Sequence, residues 1–208
     1  MGSVARKLLC LDSEPPQPAL RRAVLIVALL NLAYFGVEFG VAIAIGSVSL
    51  FADSIDFLED TSVNLLILLA LGWSARKRAR AGMLLAGILL IPGLATLWMA
   101  WQKLNAPVPP APIPLTLAGA GAMVVNLACA LLLMRYRKHS GSLTRAAFLS
   151  ARNDVLANIA IVLAGLMTAR MHSAWPDVIV GLGIAAMNAD AAREVYQTAR
   201  AEHADAKA

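Results

Sequence analysis

The sequence predicts an all-α integral membrane protein, a bundle of six transmembrane helices. Three observations carry that expectation. Of 208 residues, 59% are apolar and only 15% charged, where a soluble domain carries about 25% charged residues. The mean hydropathy is +0.68, and the apolar residues gather into stretches of about 20, enough to cross a core of about 30 Å as a helix. The basic residues fall almost entirely on alternate connections between those stretches.

In chain order, residues 1–22 are expected to form a polar tail, kept non-helical by Pro15, Pro16 and Pro18. The six spans are expected at 23–45, 48–73, 82–102, 113–134, 146–169 and 175–192. The first is too long for the apolar core of a signal peptide. Pro92-Gly93 predicts a kink or a close helix contact in the third. Pro107, Pro109, Pro110, Pro112 and Pro114 predict a stiff extended link to the fourth. The spans together make one transmembrane transport domain, 23–196, and residues 197–208 a short polar tail.

Charge sets the orientation. Arg6, Lys7, Arg21 and Arg22 precede span one. Arg76, Lys77, Arg78 and Arg80 follow span two; Arg135, Arg137, Lys138 and Arg145 follow span four; Arg193, Arg200 and Lys207 follow span six. Only Lys103 and Arg170 lie on the opposite side. The positive-inside rule then places both termini in the cytoplasm, with a bacterial inner or plasma membrane as the expected location. The net charge of +5 therefore serves topology and contact with membrane lipid; nucleic-acid binding is not expected. Cys10 and Cys129 are far apart and imply neither a disulfide framework nor a thiolate metal site. His139, His172 and His203 are isolated and read as surface residues. No nucleophile–base pair or HExxH-type motif points to an enzyme.

The chemistry concentrates in span two, where Asp53, Asp56, Glu59 and Asp60 fall within eight positions of an apolar stretch. A carboxylate at the centre of a bilayer costs about 2.5–3.5 kcal/mol or more, so a cation, a proton or water must offset it. Asp56 and Asp60 are one turn apart on one face, with Asp53 a turn earlier and Asn64 a turn later. In span five, Ser150, Asp154 and Asn158 share a face in the same way. At 1.5 Å per residue both sets lie roughly 12–18 Å from a membrane surface, near the midplane. If the two helices are neighbours, they form one site. Carboxylates so crowded cannot all remain ionised when empty; a divalent cation neutralises them and expels the protons. Opened alternately to each side, such a site is an antiporter. The competing account is structural, with the acids paired to Arg152 or bonded to neighbouring helices. Arg152 lies near the depth of Glu59, but one guanidinium cannot neutralise so many acids.

Several stretches resemble the cation diffusion facilitator family: Asn31-Leu-Ala-Tyr-Phe35 with Glu38, Gly46-Ser-Val-Ser-Leu50 continuing to Asp60, Asn126, Arg145-Ala-Ala-Phe-Leu, Asp154-Val-Leu-Ala-Asn158, and Trp175-Pro-Asp177 with Gly181. The likeness covers all six spans. It implies export of a divalent metal (Zn, Co, Cd, Mn or Fe) in exchange for protons, commonly by a homodimer. The metal is then a transported substrate rather than a resident cofactor. The implied ligands are Asp56, Asp60, Ser150 and Asp154. Ser150 stands where the family usually has His or Asp, so Asn153 or water is expected to complete the shell. An all-oxygen shell favours Mn²⁺ or Fe²⁺. Glu38, Asp53, Asn153 and Asn158 are candidates for supporting contacts or a proton pathway, and Asp53 also for an outer gate or the cap of span two. The cytoplasmic C-terminal domain of many members has no counterpart here. That departure, with Ser150, leaves open a second reading: a non-transporting relative that binds metal or a membrane partner.

Overall fold

The computed structural model describes residues 18–70, 80, 84, 93–134 and 141–205. Among these residues every regular element is an α-helix: α1 Pro18–Ile45, α2 Val48–Ala70, α3 over 93–105, α4 Pro112–Met134, α5 Gly141–Met171 and α6 Trp175–Asp205. Span three is thus seen only in its second half, and the predicted kink at Pro92 lies outside the described residues.

Two helices run past the spans read from hydropathy. α1 is helical from Pro18, inside the expected tail, and a proline is tolerated in the first turn of a helix, where its missing N–H would have no partner. α6 continues to Asp205 because its Ala-rich end has high helix propensity whatever its polarity. The Pro-rich link 107–111 is extended as expected.

Arg21–Ile45, Pro112–Met134 and Asp154–Met171 are each long and apolar enough to cross a membrane by themselves. The α2 helix falls short of that measure because it carries four acids. Side chains are sorted as in a membrane bundle. Leu25, Ile26, Leu29, Leu117, Val124, Leu156 and Leu163 face outward, whereas Asn31, Glu38, Asp53, Asn126, Asn158 and Asp177 are buried. The bundle is apolar outside and keeps its buried polar groups inside, an arrangement that suits lipid as the surrounding solvent.

The helices pack in a closed order, α1 on α2, α2 on α6, α6 on α5, α5 on α4 and α4 back on α1, and α2 also touches α4 and α5 across the centre. Near one end Ala42, Leu50, Ile55, Leu115, Ile161 and Ile184 form an apolar cluster drawn from five helices. Near the other, Val24, Val27, Cys129 and Leu133 join α1 to α4.

The turn between α1 and α2 pairs the first N–H groups of α2. Gly46 takes φ +63°, a left-handed conformation that glycine adopts without steric cost. The Ser47 N–H then reaches Ala42 O at 3.0 Å and closes α1 in a Schellman motif. Ser47 also caps α2, its Oγ accepting from Leu50 N at 3.2 Å. The two N–H groups left over, of Val48 and Ser49, donate to the Asp177 carboxylate of α6 at 2.9 and 3.1 Å. The Ser47 and Ser49 hydroxyls donate to the same carboxylate, each at 2.6 Å. Gly181, one turn beyond Asp177, makes this approach feasible: a Cβ there would meet Ser49 N and Val48 C at 2.7 Å.

Candidate metal centre

The acids of α2 and α5 can share a site only if the two helices are neighbours, and the two helices do touch. Asn158 Nδ2 of α5 donates to Asp53 Oδ2 of α2 at 2.6 Å. One turn along each helix, Asp154 lies within electrostatic reach of Asp56. Asp53, Glu59 and Asp60 bear on Asp56 as well, and Cys129 of α4 senses both Asp60 and Asp154. The acids of the two helices therefore lie within electrostatic range of one another across the α2–α5 contact. Asp56, Asp60 and Asp154 are partly exposed, whereas Asp53 and Glu59 are buried. Among the described residues, no three His, Cys, Asp or Glu side chains stand together closely enough to form a ready metal shell.

The other predicted residues divide. Ser150, Arg152 and Asn153 lie on the α5 helix, but their side chains are outside the described residues, so the Glu59–Arg152 pairing is too. Asn158 is fully buried and central: it also accepts from Asn126 Nδ2 at 3.1 Å, joining α4 to α5 and α2. Asp53 does not cap α2; it sits in the second turn, and Ser47 and Asp177 form the cap. Glu38 of α1 is fully buried against Asp53 rather than among polar partners such as Asn31. His172 has a structural place, ending α5 at φ 51° with its N–H bonded to Thr168 O at 2.9 Å.

Polar contacts between the helices recur along the bundle. Tyr34 Oη donates to Ala118 O at 2.6 Å, Thr61 Oγ1 reaches Ala28 O at 3.3 Å, and Asn188 Nδ2 reaches Ala52 O at 3.2 Å. Lys103, from the end of α3, donates to Gly46 O and stands within electrostatic reach of Asp177. In a dry environment these bonds replace the water that backbone and side chains would otherwise need.

With this geometry in place, the comparison with known families is decisive. Residues 24–200 match the cation efflux transmembrane domain. The chain belongs to the cation efflux family. Its members are membrane transporters of metal cations, not enzymes, and the match spans all six helices. A search of curated proteins finds no match. Sequence reasoning missed the role of Asp177 in this cation efflux domain. The motif around Trp175-Pro-Asp177 was visible, but its partners lie 128–130 residues away.

Proposed function

We propose that the protein exports a divalent transition-metal ion from the cytoplasm in exchange for protons, with Asp56, Asp60 and Asp154 as ligands and proton acceptors. The observation that carries this reading is the contact of α2 with α5, held by the 2.6 Å bond from Asn158 to Asp53, with Asp154 within electrostatic reach of Asp56. Stepping along the antiparallel pair from 53 opposite 158, through 56 opposite 154, brings Asp60 level with position 150. Ser150 is assigned there as ligand or water holder, with Asn153 beside it. Without a cation the carboxylates repel one another and stay apart. A divalent ion neutralises them, draws them together and displaces their protons. The oxygen-rich set suits Mn²⁺ or Fe²⁺ better than Zn²⁺.

Both termini face the cytoplasm in this account, and the membrane is a bacterial inner or plasma membrane. Membrane potential then supplies about 2.3 kcal/mol per charge per 100 mV to the exchange. The six helices form the transport domain over residues 23–196, and a homodimer is the expected assembly.

The test is uptake of ⁵⁴Mn and ⁶⁵Zn into inverted vesicles under an imposed pH gradient. The parent protein accumulates metal and Asp60→Ala does not; equal uptake by both would refute the proposal. Metal binding by calorimetry without flux would favour a metal-binding, non-transporting relative.

A further inference from the structure

Most buried polar groups of the bundle have partners; among the described residues the acids Glu38 and Asp53 stand out, with three carboxylate oxygens that accept no hydrogen bond. Glu38 of α1 and Asp53 of α2 are both fully buried. Their carboxyls face each other within hydrogen-bonding reach. Yet both Glu38 oxygens and Asp53 Oδ1 lack a donor. Only Asp53 Oδ2 is served, by Asn158 Nδ2 at 2.6 Å. Three carboxylate oxygens without a donor in a dry interior are an anomaly, since buried acceptors are nearly always paired. Two ionised carboxylates side by side there would add repulsion to desolvation.

Among the described residues no cation relieves this. The charged or titratable groups acting on Glu38 are Asp53 and Asp56. Tyr34, on α1, senses both Glu38 and Asp53, but its hydroxyl is committed to Ala118 O. The α5 contribution is neutral Asn158, the α4 contribution behind it is neutral Asn126, and α6 presents Asn188 to Ala52 O. Lys103 is engaged at Gly46 near the end of α2. What fits between the two carboxyls is a hydrogen ion. One proton turns a repelling pair into a short O–H···O⁻ bond, which satisfies an oxygen on each side.

We propose that Glu38 and Asp53 form a proton-binding site separate from the metal ligands, holding one shared proton in the metal-free protein. The inference rests on the exchange reading above and deepens it by naming a proton carrier. Along α2 the pair lies between the Val48 end and Asp56. A proton entering from that end meets Glu38 and Asp53 first and passes to the metal carboxylates as the cation leaves. Asn158 positions Asp53 for this, and the Asn126 bond fixes the orientation of the Asn158 amide.

Infrared spectroscopy of the purified, metal-free protein tests the site directly, with vesicle flux as a second arm. The parent shows a protonated-carboxyl C=O band at neutral pH that shifts in D₂O. One component of that band is missing from Glu38→Gln and from Asp53→Asn, seen in parent-minus-variant difference spectra, while the contribution of the metal carboxylates cancels; each variant is checked for folding by its elution in size-exclusion chromatography. In inverted vesicles, Glu38→Gln loses at least tenfold of the stimulation of ⁵⁴Mn uptake by a pH gradient, and Glu38→Asp recovers part of it. A purely structural role would reduce uptake with and without the gradient alike. Parent-minus-variant difference spectra that show no protonated-carboxyl band for either variant, or gradient stimulation equal to the parent's in Glu38→Gln, overturn the inference. If the parent shows no gradient-driven uptake, the exchange reading fails, and the infrared arm still decides whether the pair holds a proton.

Discussion

Replacing Asp177 by Ala is expected to loosen α2 from α6 more than any other single truncation outside the metal centre. Asp177 is fully buried and accepts four hydrogen bonds, from Ser47 Oγ, Val48 N, Ser49 N and Ser49 Oγ, at 2.6–3.1 Å. Bonds to a charged acceptor contribute about 1.5–3 kcal/mol each, and an orphaned buried N–H costs about 1–3 kcal/mol. These values do not add, because the two serine hydroxyls can turn to other acceptors while the Val48 and Ser49 amides cannot. A net loss of about 3–5 kcal/mol follows, equivalent to a fall in Tm on the order of 10 °C for a chain of this size. Asp177→Asn keeps one full acceptor and is expected to fall between the two. Thermal unfolding of the detergent-purified proteins measures the loss. Amide hydrogen exchange localises it: Val48 and Ser49 exchange faster while Leu50, still capped by Ser47, changes less. A Tm within about 2 °C of the parent, with unchanged exchange at Val48, would refute the capping argument.

Four further substitutions test other contacts of the bundle. Gly181→Ala places a Cβ at 2.7 Å from Ser49 N and Val48 C and should cost about 1–3 kcal/mol, whereas Gly183→Ala meets nothing within 4 Å and should leave the unfolding midpoint unchanged or slightly raised. Asn158→Leu removes the donor to Asp53 and the acceptor for Asn126; a loss of about 2–4 kcal/mol is expected, and a double-mutant cycle with Asn126→Leu should show strong coupling. His172→Gly relieves a left-handed backbone at the end of α5 and should stabilise by about 1 kcal/mol, read as a higher Tm.

How far the sequence foretold this molecule differs between its parts, for physical reasons. The spans were readable because membrane thickness imposes a length on apolar segments, and α4 at Pro112–Met134 follows it to within one residue of 113–134. The ends of α1 and α6 were not, because hydropathy reports immersion in lipid and not helix length. Pro18 and the Ala-rich stretch to Asp205 are helical for local reasons. The acids of α2 were conspicuous because charge in an apolar run is costly. Their meeting with α5 was a conditional statement about neighbours, which the Asn158–Asp53 bond now supplies. The role of Asp177 was opaque for a different reason, and so was the partner of Glu38, which the family resemblance had marked only as a supporting or proton-pathway candidate. Each residue acts through a partner on another helix, and no local pattern reveals which buried carboxyl gains four donors and which gains none.

The most direct test of the exchange mechanism is calorimetric titration of Mn²⁺ into the purified protein, in two buffers that differ in protonation enthalpy. It should give one metal site per chain, with protons released as metal binds, and Asp56→Asn or Asp154→Asn should each lower affinity by on the order of 100-fold, because losing a direct ligand costs at least as much as losing its supporting contacts. Binding with no proton release, or an Asp154→Asn protein that binds Mn²⁺ as tightly as the parent, would contradict a single cation held between α2 and α5.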